Sequence, residues 1–156
     1  MAHSNETLIR SFYEAFQKGD ASGMAKCYHP EVVFNDPAFQ NLHGTEASDM
    51  WAMLLSRAKE NLKISFSEIQ ADDLAGIAKW EAIYPFGAKK RQVRNKISAQ
   101  FAFKDGKIVK HTDTFPFWKW SRMALGPLGT FLGWSNFLKN KVRSQSANLL
   151  KTYRNK

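Results

Sequence analysis

The chain has 156 residues, of which 44% are hydrophobic and 24% are charged, values typical of a globular protein with one domain and one core. No apolar run approaches the roughly 20 residues that a membrane-spanning helix needs. The formal net charge of +9 would suit a nucleic acid or another anionic partner. The distribution of the charged residues along the chain shows which segment could bind such a partner.

The positive charge is concentrated at the C-terminal end. Residues 1–117 contain 15 basic and 14 acidic side chains, whereas residues 118–156 contain 8 basic and no acidic ones. The body is nearly neutral and the tail is cationic, which suits an acidic partner, an anionic membrane surface or an anionic ligand near a pocket. Nucleic-acid binding is not expected, because it requires basic and aromatic groups together on an open surface.

The N-terminal residues MAHSNETLIR lack the basic and then apolar pattern of a signal peptide. A single cysteine, Cys27, excludes an internal disulfide. We therefore expect a cytoplasmic protein, in which Cys27 is a buried packing residue.

Three helices are predicted in the first 60 residues from apolar side chains at helical spacing. The first begins at Ser4 or Asn5 and ends at Gly19. A second, shorter helix follows Asp20 and ends at His29-Pro30, and a third begins at Thr45. The apolar stripes are Leu8, Ile9, Phe12, Tyr13 and Phe16 in the first helix, Met24, Cys27 and Tyr28 in the second, and Trp51, Leu54, Leu55 and Ala58 in the third.

Five strands are predicted, one before the third helix and four after it. The first is EVVFND, which Pro37 ends, and the other four alternate apolar and polar residues in LKISFSEIQ, LAGIAKWEAIY, NKISAQFAF and KIVKHTDTF. Turn residues separate these last four, so they form an antiparallel meander. Helices on one side of a curved antiparallel sheet predict an α+β domain whose concave face encloses a cavity.

The last predicted strand carries two titratable residues on its apolar face. Alternation places Val109, His111, Asp113 and Phe115 on the same face. Two interpretations remain open, because His111 and Asp113 could form a satisfied polar pair at a strand end or line a pocket and transfer protons.

The C-terminal tail is too apolar to be a disordered linker. We predict a helix near 117–124, a break at 126–127 and an amphipathic helix from about 135 to 150. The side chains predicted to face inward in this last helix are Phe137, Leu138, Val142, Leu149 and Leu150. The tail could form a lid over the cavity mouth, a flap across a dimer partner or a basic amphipathic helix on an anionic membrane surface. We favour the lid or the flap, because the tail aromatics follow the last strand directly.

The segments FYEAFQKGDASGMAKCYHPEVVFNDPAF and FKDGKIVKHTDTF resemble the NTF2-like superfamily, and in particular its SnoaL-like polyketide cyclase and ketosteroid-isomerase-like branches. The resemblance covers about residues 5–120. It implies an α+β fold shaped as a cone (cystatin-like), a hydrophobic pocket between sheet and helices, and a homodimer formed through the sheet. The SnoaL-like domain would span residues 1–116, and residues 117–156 would form a helical extension packed on the domain or on the dimer partner.

The resemblance also implies site residues. Asp36 matches the carboxylate base of ketosteroid isomerases, but their tyrosine position falls on Phe12 and their second aspartate near Ala99, so steroid isomerase activity is not expected. The acid/base aspartate of SnoaL-like cyclases matches Asp113, with His111 beside it. The alternative for Asp36 is a structural role, since aspartate before proline is a common turn residue.

The predicted function is therefore acid/base catalysis on a small apolar carbonyl compound, by Asp113 with His111 and Asp36, needing no metal and no organic cofactor. The alternative is a ligand-binding or interaction domain without chemistry. Aromatic residues would line the pocket in either case, although the same residues would also suit a core. They are Phe12, Tyr13, Trp51, Trp80, Tyr84, Phe101, Phe115 and Trp118.

Overall fold

The computed structural model describes residues 3–156, which form six α-helices, one 3-10 turn and six strands. In chain order these elements are α1 (Ser4–Gln17), α2 (Ala21–Lys26), β1 (Tyr28–Asn35), β2 (Leu42–His43), α3 (Thr45–Ala58), the 3-10 turn (Lys59–Asn61), β3 (Lys63–Ala71), β4 (Ala75–Phe86), β5 (Arg91–Lys104), β6 (Lys107–Thr114), α4 (Phe117–Leu125), α5 (Pro127–Leu132) and α6 (Asn136–Arg154).

The strands form one mixed sheet in the order β2-β1-β6-β5-β4-β3. Strands β3 to β6 are the predicted antiparallel meander, and β1 pairs in parallel with β6. The main core lies between this sheet and helices α1 and α3, whose buried faces include Phe12 and Trp51. The prediction of an α+β domain with added C-terminal helices is confirmed. No helix within residues 3–156 is long and apolar enough to cross a membrane.

Strand β6 contains an irregularity that the alternating pattern did not predict. Ala102 of β5 pairs with Lys110, but the next residue, Phe103, pairs with Ile108, so Val109 is the extra residue of a β-bulge. Ile108 is consequently buried while Val109 is only partly buried. The prediction that Val109 shares the inner face with His111 is therefore wrong, because the bulge reverses the alternation between them.

The C-terminal helices form a second, smaller core against the end of the sheet. Phe117, Trp120 and Ala124 of α4 pack with Val93 of β5 and with residues of α6. In α6 the buried side chains are Leu138, Val142 and Leu150, whereas Phe137 is 71% exposed and Leu149 is 44% exposed. The prediction that Phe137 and Leu149 face inward is wrong. Their sequence neighbours Leu138 and Leu150 face the core, and successive residues of a helix point about 100° apart.

Candidate functional site

His111 and Asp113 lie inside the main core, on the concave face of the sheet. Their side chains are 0% and 2% exposed. Phe101 of β5 pairs with His111 across the sheet, and its ring centroid is 4.5 Å from the imidazole centroid. Phe34 of β1 meets the same imidazole edge-on at 5.0 Å. Aromatic packing therefore excludes bulk water from the histidine and strengthens its polar contacts.

A chain of hydrogen bonds runs through these two residues. Nε2 of His111 is 2.9 Å from Oδ1 of Asp113, and Nδ1 is 2.8 Å from the Tyr28 hydroxyl. That hydroxyl accepts a hydrogen bond from Nε1 of Trp51 at 2.8 Å. One assignment of hydrogens uses every donor: Tyr28 O–H donates to Nδ1, and Nε2–H of a neutral His111 donates to the Asp113 carboxylate. The histidine thus holds the carboxylate in one orientation.

The Asp113 carboxylate is satisfied on one side only. Oδ1 accepts hydrogen bonds from His111 and, at 3.3 Å, from Nε1 of Trp80. Oδ2 is buried and has no hydrogen-bond partner within residues 3–156, and the same is true of the Tyr13 hydroxyl. Burial, with a smaller contribution from the charge of Asp113, raises the pKa of Tyr13 well above its usual range. The phenol therefore stays protonated at neutral pH and is available as a donor.

Asp36 lies at a turn at the end of β1. Its Oδ1 accepts hydrogen bonds from the backbone N–H groups of Ala38 at 2.7 Å and Phe39 at 2.6 Å. This contact is the structural role that a turn aspartate performs. Burial raises the pKa of Asp36 to about 7, the two backbone donors oppose that rise, and the negative charge of Asp113 adds to it. The two carboxyl groups are thus close enough to influence each other.

The C-terminal helices cover the side of the core on which Asp36 lies. Nε1 of Trp120 in α4 donates to the Tyr84 hydroxyl at 2.9 Å, and Nε of Arg143 in α6 donates to the carbonyl oxygen of Pro37 at 3.0 Å. Burial raises the pKa of Tyr84 to about 12, with a small contribution from Asp36. Tyr84 and Ala38 of the Asp36 turn both pack against the core that α4 and α6 form.

The structure brings most of the predicted lining residues together, as a packed aromatic interior. Seven of the eight belong to the main core or pack against it: Phe12, Tyr13, Trp51, Trp80, Tyr84, Phe101 and Phe115. Trp118 does not, because the residue is 36% exposed and its indole N–H donates to the carbonyl oxygen of Thr130 on α5. Since α4 begins at Phe117, helical geometry turns Trp118 outward while Phe117 and Trp120 face the sheet.

Two surface cavities lie outside this interior. One, of about 520 Å³, is a groove between α3 and α6 lined by residues that include Met53, Arg57 and Tyr153. The other, of about 260 Å³, lies between α6 and the segment around Phe39. Neither is lined by His111 or Asp113. Within residues 3–156, no group of three or more His, Cys, Asp or Glu side chains is arranged to hold a metal ion.

Sequence reasoning missed Tyr28 as a partner of His111. The sequence predicted Tyr28 on the apolar stripe of the second helix, but that helix ends at Lys26 and β1 begins at Tyr28. The parallel pairing of β1 with β6 then brings the hydroxyl to Nδ1 of His111. Pro30 was the available signal, because proline is tolerated near the start of a strand and is therefore compatible with a strand that begins at Tyr28.

Comparison with known proteins assigns the family. The family model of the SnoaL-like domain matches residues 9–111, which include Tyr13, Tyr28, Asp36 and His111 and stop two residues before Asp113. No curated protein matches the sequence.

Three solved structures illustrate the likeness in fold. An NTF2-like protein from Burkholderia pseudomallei is 17% identical, with a TM-score of 0.61 over 72% of this chain and 91% of the other. An LEH-like epoxide hydrolase from M. tuberculosis is 19% identical, with a TM-score of 0.61 over 85% and 97%. A proposed polyketide cyclase from Xanthomonas campestris is 20% identical, with a TM-score of 0.60 over 75% and 93%. The chain belongs to the SnoaL-like family and has the NTF2-like fold, as the resemblance of its sequence predicted.

Proposed function

We propose that Asp113, His111 and Tyr13 form a proton-transfer site that isomerises or cyclises a small apolar carbonyl compound without a cofactor. The observation that carries the proposal is the pair of buried, unpartnered oxygen atoms, Oδ2 of Asp113 and the Tyr13 hydroxyl. Buried polar atoms in native proteins almost always have a partner. A bound carbonyl compound would accept the hydrogen bond of the Tyr13 hydroxyl and could present the acidic C–H group next to its carbonyl to Oδ2 of Asp113.

The residues divide the chemistry between them. Oδ2 of Asp113 takes a proton from the carbon next to the carbonyl group, and the electron pair of that C–H bond moves toward the carbonyl oxygen. The Tyr13 O–H donates a hydrogen bond to the oxygen as it becomes negative, which lowers the barrier most in a water-free site. In an isomerisation Asp113 returns the proton to another carbon of the conjugated enolate. In a cyclisation the enolate carbon attacks a second carbonyl carbon, whose C=O bond opens to an alkoxide, and Asp113 returns the proton to that oxygen.

His111 positions the base and does not itself take the proton of the substrate. Its Nε2–H donates to Oδ1 throughout, so that Oδ2 remains the free oxygen of the carboxylate. Tyr28 fixes the imidazole from the other side by occupying Nδ1. This arrangement resembles the way in which a third group orients the base in other buried acid/base sites.

Asp36 is the second proton carrier in this proposal. A carboxyl group with a pKa of about 7 can both donate and accept a proton near neutral pH, which is the condition for efficient general acid/base catalysis. Ala38 of the Asp36 turn packs against the core to which α4 contributes, as does Tyr84. Movement of Trp120 away from Tyr84 would open a route for an apolar ligand.

The test is exchange of carbon-bound hydrogen in heavy water. Cyclohexanone and tetralone serve as probes, and NMR follows loss of the protons next to their carbonyl groups. We expect the protein to accelerate exchange over buffer, because abstraction and return of that proton suffice for exchange. Asp113→Asn, which cannot act as a base, should lower the rate about 100-fold or more, and Tyr13→Phe, which removes the donor, about 10-fold or more.

Asp73→Asn is the matched control, since Asp73 is an exposed residue whose carboxylate pairs with His3 away from the core. It should leave the exchange rate unchanged. Equal rates in the wild-type protein and Asp113→Asn would contradict the assignment of Asp113 as the base.

A second candidate function, ligand binding without chemistry, is favoured by the groove of about 520 Å³ between α3 and α6. Binding of the same probes there would be lost with Leu149→Arg, which fills the groove, and kept in Asp113→Asn. If the chemistry takes place in the core, Asp113→Asn should lower the exchange rate and Leu149→Arg should leave it unchanged. The two candidates are therefore separable with one pair of variants.

A further inference from the structure

A cluster of large apolar side chains lies exposed around the turn between α5 and α6. It consists of Leu128, Phe131, Trp134 and Phe137, which are 50%, 73%, 71% and 71% exposed, and we call it the aromatic tip. Nε1 of Trp134 donates to the carbonyl oxygen of Phe131 at 2.7 Å, which keeps these two residues together. The indole N–H is therefore satisfied by the protein and the rest of the ring faces outward.

Apolar side chains that cluster in this way on a protein surface usually mark an interaction site. The aromatic tip continues into α4, because Trp118 is hydrogen-bonded to Thr130 on α5. It lies in a part of the fold that the sheet and the buried carboxylates do not occupy. The aromatic tip thus shares no residue with the proposed proton-transfer site, although α4 adjoins both.

Cationic groups from two distant segments lie on the elements that meet at the end of the molecule carrying the aromatic tip. Lys119, Arg122 and Lys141 are exposed on α4 and α6, within the tail that has no acidic residue. The β4–β5 hairpin, which carries Lys89, Lys90 and Arg91, reaches the same end of the molecule. Nε of Arg91 donates to the carbonyl oxygen of Met123 at 3.0 Å, and its guanidinium lies against Gly126, just before α5.

We propose that the aromatic tip docks on the surface of an anionic phospholipid bilayer. Tryptophan and phenylalanine insert at the level of the lipid headgroups, where an apolar ring meets water. Lysine and arginine side chains beside them are attracted to acidic headgroups within a Debye length of the surface. The aromatic tip supplies the rings, and the tail and hairpin supply the charge.

Charge complementarity favours a bilayer over a second copy of this chain. Self-association through the aromatic tip would bring two cationic tails face to face, and like charges across an interface oppose binding. An anionic bilayer instead neutralises the tail and hairpin together and covers the rings in the same step.

The test is co-sedimentation of the full chain with vesicles of phosphatidylcholine alone or mixed with phosphatidylglycerol. We expect binding to the anionic vesicles, little binding to the neutral ones, and loss of binding as salt is added. The double variant Phe131→Ser with Trp134→Ser should bind at least about 10-fold more weakly, because it removes the largest inserted rings. Lys119→Gln with Lys141→Gln should weaken binding and reduce its dependence on salt.

The matched control is Leu74→Ser, which removes an apolar side chain that is 78% exposed at the β3–β4 turn. It should bind vesicles like the wild-type protein. Urea unfolding and sedimentation velocity of each variant complete the experiment. Equal binding to neutral and anionic vesicles would overturn the proposal, as would a wild-type dimer that does not bind vesicles and that the aromatic double variant converts to a monomer. A wild-type protein that leaves the vesicles unbound and instead binds single-stranded DNA through the same rings would also overturn it.

Discussion

Replacement of His111 by leucine is expected to lower the free energy of unfolding by about 3–5 kcal/mol, the cost of removing the hydrogen-bond partner that a buried hydroxyl and a buried carboxylate share. Leucine fills the space but removes both ring nitrogens. The Tyr28 hydroxyl then loses the acceptor of its proton, and Oδ1 of Asp113 keeps only the long contact with Trp80. Urea unfolding at neutral pH measures the change.

His43→Leu is the control for this substitution, because His43 lies exposed at the end of β2. It should change the free energy of unfolding by less than about 0.5 kcal/mol. Tyr28→Phe removes the hydroxyl that links Trp51 to His111 in the same chain of hydrogen bonds and should cost about 1–3 kcal/mol. A loss below about 1 kcal/mol for His111→Leu would mean that the network contributes little to stability.

Replacement of Asp36 by asparagine is expected to stabilise the protein at pH 8 and to leave its stability near pH 4 almost unchanged. The folded-state pKa of Asp36 is about 7, against an ordinary value of 3.8. Between these two values the folded state keeps a proton that the unfolded state has released, so stability falls as the pH rises. Asparagine does not ionise, and its Oδ1 still accepts from Ala38 and Phe39.

The expected gain at pH 8 is roughly 2–4 kcal/mol, since one unit of pKa corresponds to about 1.4 kcal/mol. Urea unfolding across this pH range measures it. Asp72→Asn is a control of opposite sign: Asp72 also caps a turn, but the backbone N–H groups of Ala75 and Leu74 lower its pKa. That variant should be less stable than the wild-type protein at neutral pH, and the difference should vanish in acid. A constant offset between Asp36→Asn and wild type at every pH would contradict the account.

The order of the longer helices and strands could be predicted from the sequence because each depends on a local pattern, whereas the short elements β2 and α5 were not predicted. Alternation over β3 to β6 and helical spacing in α1 and α3 require no knowledge of distant residues. The bulge at Val109 could not be predicted in this way, since it is defined by the pairing of β6 with β5. Because of the bulge, Ile108 rather than Val109 is buried with His111. The prediction that His111 and Asp113 share one face was correct.

The hydrogen-bond partners of the buried polar groups could not be predicted from the sequence either, because they too come from distant parts of the chain. The hydroxyl that meets His111 comes from a residue 83 positions earlier in the chain. The family resemblance supplied Asp113 and Asp36 as candidates, but it suggested no role for Tyr28 and placed the tyrosine position of the isomerases on Phe12. The structure puts the unpartnered hydroxyl on the neighbouring residue, Tyr13.

In the C-terminal tail, apolar composition predicts that helices form but not which of their apolar side chains are buried. Two of its three helices, α4 and α6, were predicted within a few residues, because Gly126 and the spacing of Leu138, Val142 and Leu150 are local signals, whereas the short helix α5 was not predicted. Which aromatic residues become buried depends on how α4 and α6 cross the end of the sheet. Trp120 is buried while Trp134 is exposed, although both belong to the same apolar segment.

The central claim is that Oδ2 of Asp113 and the Tyr13 hydroxyl receive a carbonyl compound, and a crystal structure of the protein grown with tetralone tests it most directly. We expect the carbonyl oxygen of tetralone about 2.6–3.2 Å from the Tyr13 hydroxyl, with the adjacent carbon against Oδ2 of Asp113. Tetralone bound only in the groove between α3 and α6, with both core oxygens still enclosed by side chains, would contradict the claim.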